Sequence, residues 1–173
     1  MSGRPRALPQ PDESQLQALL RSCLGRFATG VAVVTFQADD GPHGFTVNSF
    51  TSVSLRPPLV LVCVARAARS HDRLAGRPFC VNVLGAEQEP LARAFAGAGG
   101  AQAGFESDEL APRLPGSLAH LSCRPWRSYD GGDHTLYLGE VADFDYRSGE
   151  ALGYLGGRFI AIAEPELGLE HLL

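Results

Sequence analysis

A chain of 173 residues, 45% apolar, 20% charged and 8% aromatic, has the make-up of one soluble globular domain and little room for a second. Nineteen acidic residues against fifteen basic ones give a net charge of −4, which argues against non-specific nucleic-acid or membrane binding as the main task. All fifteen basic residues are Arg, so Schiff-base chemistry, a P-loop lysine and a buried catalytic amine are excluded.

Residues 1–13 are Pro-rich and polar and read as a flexible tail before a domain over 14–173. They lack the apolar stretch of a signal peptide. Leu16, Leu19, Leu20, Cys23, Leu24 and Phe27 then repeat at helical spacing. Ser14 or Asp12 can cap that helix, and Gly25 or Gly30 can end it. Strand patterns follow over Val31 to Gln37, with turn chemistry from Ala38 to Gly44 and a hydroxyl-rich extended segment from Phe45 to Leu55. Leu59 to Ala65 is the longest apolar run, suited to a buried strand and too short to span a bilayer.

Ser70 to Ala75 reads as a short helix with Ser70 as its cap, Phe79 to Leu84 as a strand, and Glu87 to Ala96 as a helix that tolerates Pro90 in its first turn. Residues 97–116 form a long Gly-, Ala- and Pro-rich acidic loop. Strands return at Ser117 to Trp126, His134 to Phe144 and Arg158 to Ala163. This order has no βαβ rhythm and predicts a mainly β fold with flanking helices, closed or sandwich-like.

The four cysteines, Cys23, Cys63, Cys80 and Cys123, are far apart, and three lie in apolar stretches. They fit a reduced, cytoplasmic protein. No G-x-G-x-x-G, G-x-S-x-G or H-E-x-x-H motif occurs, and the five histidines lack metal-ligand spacing.

Three segments are candidates for chemistry. Thr46-Val47-Asn48-Ser49-Phe50-Thr51-Ser52-Val53-Ser54 offers five hydroxyls and an amide, suited to a sugar phosphate or a heteroaromatic ring edge. The solvated face of an exposed strand would carry the same residues. Arg66-Ala67-Ala68-Arg69-Ser70-His71-Asp72 follows a buried strand and opens a helix, where a phosphate is readily held. An ordinary capped surface turn is the alternative. In Gly131-Gly132-Asp133-His134-Thr135 the glycines allow close approach of a ligand and His134 stands at a strand head, although a plain hairpin turn fits as well. Together the three suit a phosphorylated cofactor better than a protein partner.

In this order the segments resemble the flavin reductase family of FMN-binding split barrels. The matching stretches are Phe27 to Thr35, Gly44 to Leu55, Pro57 to Val60, Arg69 to His71, Phe79 to Leu84, Gly132 to Thr135 and Gly157 to Phe159. The likeness covers roughly residues 16–163. Departures stand at Phe45, Gly156 and Phe159, where Met, Arg and Tyr are common.

The resemblance implies a six-stranded Greek-key split β-barrel of the FMN-binding type, assembled as a homodimer. It implies that NADH or NADPH reduces FMN or FAD, and that the reduced flavin serves a partner flavin-dependent monooxygenase. By position, Thr46, Val47, Asn48, Ser49, Ser52, Val53, Ser54, Cys63, Arg69, Ser70 and His71 would bind the flavin. Arg69, Ser70 and His71 would take its phosphate. His134 would be the catalytic residue at the flavin rim, with Tyr154 and Thr29 beside it on the nicotinamide side. A non-catalytic flavin store or redox sensor, or a split-barrel oxidase with a fixed flavin, would share the same fold.

Overall fold

The computed structural model describes residues 12–98 and 104–164. The strand β2 (Ala32–Ala38) separates two apolar cores. Ala32, Val34, Phe36 and Ala38 face one; Val33 and the preceding Val31 face the other. Both faces are covered, so Val31 to Val34 run without polar interruption.

The first core fills a barrel. Its wall is built from β3 (Gly41–Val47), β2, β6 (Phe79–Val83), β7 (Ala119–Gly131), β8 (His134–Tyr146) and β5 (Pro58–Ala65), hydrogen-bonded in that order. A seventh strand, β4 (Thr51–Leu55), is added as the hairpin partner of β5. Inward residues alternate with outward ones along β5, where Val60, Val62 and Val64 are buried. No ladder joins β3 to β5. Across that seam the Ser49 hydroxyl accepts from the Cys63 amide at 3.0 Å and donates to the Cys63 carbonyl at 3.1 Å. The arrangement is a split barrel.

The second core lies outside the barrel wall. It is covered by a small sheet of β1 (Thr29–Gly30), β9 (Ala151–Leu155) and β10 (Arg158–Ile162), and by the helical run Ala86–Ala98, which contains α3 (Glu89–Arg93). Strand β9 is absent from the sequence reading. Gly156 and Gly157, at φ 58° and 81°, form the two-residue turn joining it to β10, where residues with a Cβ are strained. The extended Phe45 to Leu55 segment divides at Asn48 to Phe50, and the turn before it shrinks to Asp39 and Asp40. The strands expected at Ser117 and His134 lengthen into a hairpin of two 13-residue strands.

The first helix, α1 (Glu13–Leu24), starts on Asp12, so the predicted tail gives up its last two residues; residues 1–11 lie outside the described residues. Asp12 accepts from the Gln15 amide at 2.8 Å, and the Gln15 side chain accepts from the Asp12 amide at 3.2 Å, a reciprocal cap. No residue of α1 is buried. Its apolar face of Leu16, Leu19, Leu20 and Leu24 stands open in the single chain. No described helix is long and apolar enough to cross a membrane.

The described part of the long acidic loop is strapped to the barrel from 104 to 118. Buried Asn82 is the anchor: its amide donates to the Val33 carbonyl at 2.8 Å and the Thr35 hydroxyl at 2.9 Å, and its oxygen accepts from the Leu114 amide at 2.8 Å. Thr35 in turn donates to the Pro112 carbonyl. Arg113 fans out to Asp143 and Asp145, each at 2.6 Å, and to Asp108 at 3.3 Å. Partial burial works against ionisation of Asp108, but the Ser122 hydroxyl and the Arg113 charge outweigh it and hold the carboxyl below its ordinary range. His120 lies between two acceptors, its Nδ1 2.8 Å from the Asp145 carboxylate and its Nε2 2.8 Å from the Leu114 carbonyl, which makes it a structural histidine.

Candidate active site

Strand β3 ends at Val47 because the chain must bend at Asn48 to reach β4. That bend, the end of β5 and the head of β8 surround a cleft of about 600 Å³. The cleft brings together Thr46, Val47, Asn48 and Ser49 from the bend, Cys63 from β5, Arg69 and Ser70 from the turn after it, and His134 from the β7–β8 hairpin. Eight residues singled out from scattered stretches of sequence thus line one cleft. The volume lies in the ordinary range for a cofactor site.

The side chains differ in how far they are committed. The Thr46 hydroxyl donates to the Ala92 carbonyl at 2.7 Å and ties the bend to α3. The Ser49 hydroxyl is spent on the barrel seam. Asn48 is exposed to the cleft, and among the described residues no carboxylate pairs with Arg69. Arg69 is therefore the cation at the end of the cleft that can meet a phosphate. Its neighbour Arg66 is engaged with Asp130 at 2.5 Å. Burial pushes the Cys63 thiol up, partly offset by a hydrogen bond from Ser49, so the sulfur faces the cleft as a neutral thiol. The His134 ring meets Asp133 through Nδ1 at 2.7 Å, and this contact lowers the Asp133 carboxyl. Nε2, at the cleft rim, has no hydrogen-bond partner among the described residues.

Several expectations change. The helix after Ser70 is one turn, α2 (His71–Leu74), and the Ser70 side chain makes no capping bond. One turn has little dipole to offer a phosphate, which leaves Arg69 as the cationic group lining the cleft. His71 does not line the cleft. Its Nε2 meets the Thr135 hydroxyl at 2.8 Å, its Nδ1 meets Asp72 at 2.7 Å, and its ring lies edge-on to Tyr137. These contacts hold α2 against β8. Ser52, Val53 and Ser54 lie on β4 outside the cleft, and the Ser54 hydroxyl accepts from the Arg56 amide at 3.2 Å. Thr29 and Tyr154 do not share the cavity of His134. They pair across β1 and β9 and line adjacent cavities, joined to the main cleft through Asn48.

One wall is missing from the sequence reading. Phe95, Ala96 and Gly97 cover the cleft from a wide turn of helix at Ala94–Ala98, which ends at Gly97 with φ 99°. Phe95 rests on Gly44, where a Cβ would stand 2.8 Å from its ring. Phe105 of the strap packs edge-on against Phe95 at 6.1 Å between centroids. Beyond Ala96 a second cavity of about 200 Å³ is closed by Tyr154 and Phe159, whose rings meet at 5.3 Å, with Arg93 over Phe159 at 4.9 Å. Among the described residues no three His, Cys, Asp or Glu side chains gather as a metal site.

A polar bend, a single free cation at the far end and an aromatic wall suit a flat heteroaromatic ring carrying a phosphate. Comparison with known proteins agrees. Residues 24–163 match the model of the flavin reductase like domain. An FMN reductase (NADH) from Agrobacterium fabrum is 43% identical over 143 residues, covering 80% of this chain and 82% of its own. The reductase component of a 4-nitrophenol 4-monooxygenase/4-nitrocatechol 2-monooxygenase from Rhodococcus opacus is 36% identical over 147 residues, covering 83% and 80%. The structure of a Streptomyces globisporus NADH:FAD oxidoreductase in complex with NAD and FAD fragments superposes with a TM-score of 0.82 at 42% identity, covering 92% of this chain and all of that one.

Proposed function

Because the chain belongs to the flavin reductase like family, we propose that it is an NADH-dependent flavin reductase that hands reduced FMN or FAD to a partner monooxygenase. The observation that carries the reading is the cleft that unites the Asn48 bend, Arg69 and the His134 rim. The relatives named as NADH-dependent reductases and as a monooxygenase reductase component support it over a flavin store.

When bound, the flavin accepts a hydride from the reduced nicotinamide; the chain's own residues bind, orient and exclude water. Arg69 holds the phosphate end. The bend from Thr46 to Ser49 lines the ring and ribityl portion, with its backbone N–H groups available to charge on the reduced ring. Phe95 and Gly97 shield one side of the cleft. Holding the two rings in near contact is the main catalytic contribution, since no protein acid or base is needed for the hydride itself. Few charged contacts leave flavin affinity moderate, as release to a second protein requires.

His134 supplies a hydrogen bond at the rim. In His134→Ala, turnover with NADH falls about tenfold while flavin affinity stays within twofold, the size expected for one polar contact. Stopped-flow reduction and flavin titration check this, and a loss of flavin affinity with unaltered turnover would contradict it.

The same reading makes the protein a homodimer. A row of four exposed leucines on one helix is larger than a solitary domain ordinarily leaves to water. Light scattering should give twice the chain mass of 18.4 kDa at micromolar concentration, and a mass of one chain would overturn this assignment. Four cysteines free of disulfides accord with a cytoplasmic setting.

The direct test of the activity is NADH oxidation by extensively dialysed protein, with and without added free flavin. Oxidation that depends on added FMN or FAD is expected. Oxidation at full rate without it would indicate a fixed flavin, and none in either arm would indicate a store.

A further inference from the structure

The turn that carries Arg69 is closed on itself and tied at both ends. The Ala68 amide donates to the Ala65 carbonyl at 2.9 Å, which fastens the start of the turn to the end of β5. The His71 amide donates to the Ala68 carbonyl at 3.0 Å, which closes the chain around Arg69 and Ser70. Beyond it, Leu74 at the far end of α2 is buried in the barrel core. At the near end the tie to β8 is polar, and His71 makes it.

Thr135 and Tyr137 stand two residues apart on β8 and so face the same side of it. The Thr135 hydroxyl lies 2.8 Å from His71 Nε2, and the Tyr137 hydroxyl donates to the His71 carbonyl at 3.2 Å. Burial, reinforced by the Asp72 charge and partly offset by Arg66, pushes the Tyr137 hydroxyl up, so it stays protonated and remains a donor. The other ring nitrogen, Nδ1, meets the Asp72 carboxylate at 2.7 Å. With both nitrogens engaged and the side chain largely covered, the ring has nothing left to offer a phosphate. Thr135 directly follows His134, which pairs with Ala65 across β8 and β5. His71 therefore links the turn of Arg69 to the stretch of strand that carries the cleft rim.

We propose that His71 is a positioning residue for the flavin phosphate: through Thr135 and Tyr137 it fixes the turn that aims Arg69 into the end of the cleft, and it does not touch the phosphate itself. This rests on the reductase reading above. Arg69 is exposed, and a long side chain on a loose turn would lose much freedom on binding. Fixing its backbone beforehand leaves less ordering to oppose the contact. The gain is specific to flavins that carry phosphate, because the ring and ribityl portion is lined from the Thr46 to Ser49 bend, on another element.

The test titrates FMN and riboflavin into full-chain variants and measures KM for FMN and kcat beside the binding constants. In His71→Ala the Kd and KM for FMN should rise about three- to tenfold, the size expected for one lost hydrogen bond, while riboflavin affinity and kcat at saturating FMN stay within about twofold. Thr135→Val removes only the partner hydroxyl and should give the same split, which keeps the test valid if His71→Ala folds poorly. His71→Gln, whose amide can still meet Thr135, should restore FMN affinity to within about twofold. In an Arg69→Ala background neither His71→Ala nor Thr135→Val should weaken FMN further, because the effect passes through Arg69. A further loss there would mean that His71 meets the phosphate itself. Equal losses for FMN and riboflavin would make its role merely structural, and unchanged FMN binding in Thr135→Val would remove the tie. Each of these three results would overturn the proposal. Failure of the reductase reading would look different: wild-type protein would then reduce no added flavin with NADH, a result on which the binding titrations do not depend.

Discussion

Arg69→Ala weakens FMN binding by about ten- to a hundredfold and leaves riboflavin binding within twofold. A charge-assisted contact to a phosphate contributes about 1.5–3 kcal/mol, and each 1.4 kcal/mol is a factor of ten in Kd. Arg69 is the cation lining the flavin cleft, and no carboxylate among the described residues competes for it. The comparison of the two ligands isolates the phosphate, because riboflavin has none. Added salt should narrow the gap between FMN and riboflavin in the wild type. Fluorescence titration measures both constants. Equal losses for the two flavins would mean that Arg69 shapes the cleft rather than holding the phosphate, and no loss for either would remove it from the site.

The second large effect is on stability. Asn82→Ala should lower it by about 2–4 kcal/mol, since it removes a fully buried amide and strips the Leu114 amide of its partner. For a chain of this size that is a fall of roughly 5–15 °C in melting temperature. The loss reaches the site. The strap that Asn82 anchors carries Phe105, which supports Phe95 on the cleft wall. Flavin affinity should therefore fall along with stability. A melting temperature within about 1 °C of the wild type would show that the other ties, from Arg113, His120 and Thr35, hold the strap without Asn82.

Strands β2, β5 and β6 were legible because each buries apolar residues over consecutive positions or in strict alternation. Strand β9 was not. It holds no β-branched residue, and Gly153 sits in its middle because a Cβ there would strike the Ile162 side chain at 2.5 Å. The Gly156-Gly157 pair was its one visible signal. Helix α1 was legible in its cap and its period, yet an apolar stripe looks the same whether it faces a core or a second chain.

The site divides in a similar way. Thr46 to Ser49 span the end of β3 and its bend, Arg69 and Ser70 lie in the turn after buried β5, and His134 opens β8, so these polar residues stood out at strand ends. His71 looked equivalent to Arg69, but its ring is claimed by Thr135, 64 residues away, which no local pattern reveals. Ser52 to Ser54 continued the hydroxyl-rich run in sequence, but the bend at Asn48 carries them onto β4 and away from the cleft. Phe95 to Gly97 read as the end of a helix and the start of a loop, and their place on the cleft wall depends on the close approach of Phe95 to Gly44.

The central claim is that flavin is a substrate here, taken up, reduced and released. Anaerobic addition of NADH to the protein with a large excess of free FMN or FAD tests it most directly. The account predicts that flavin absorbance bleaches by many equivalents per chain, limited only by the NADH supplied. Bleaching that stops at one equivalent per chain, or none at all, would contradict it.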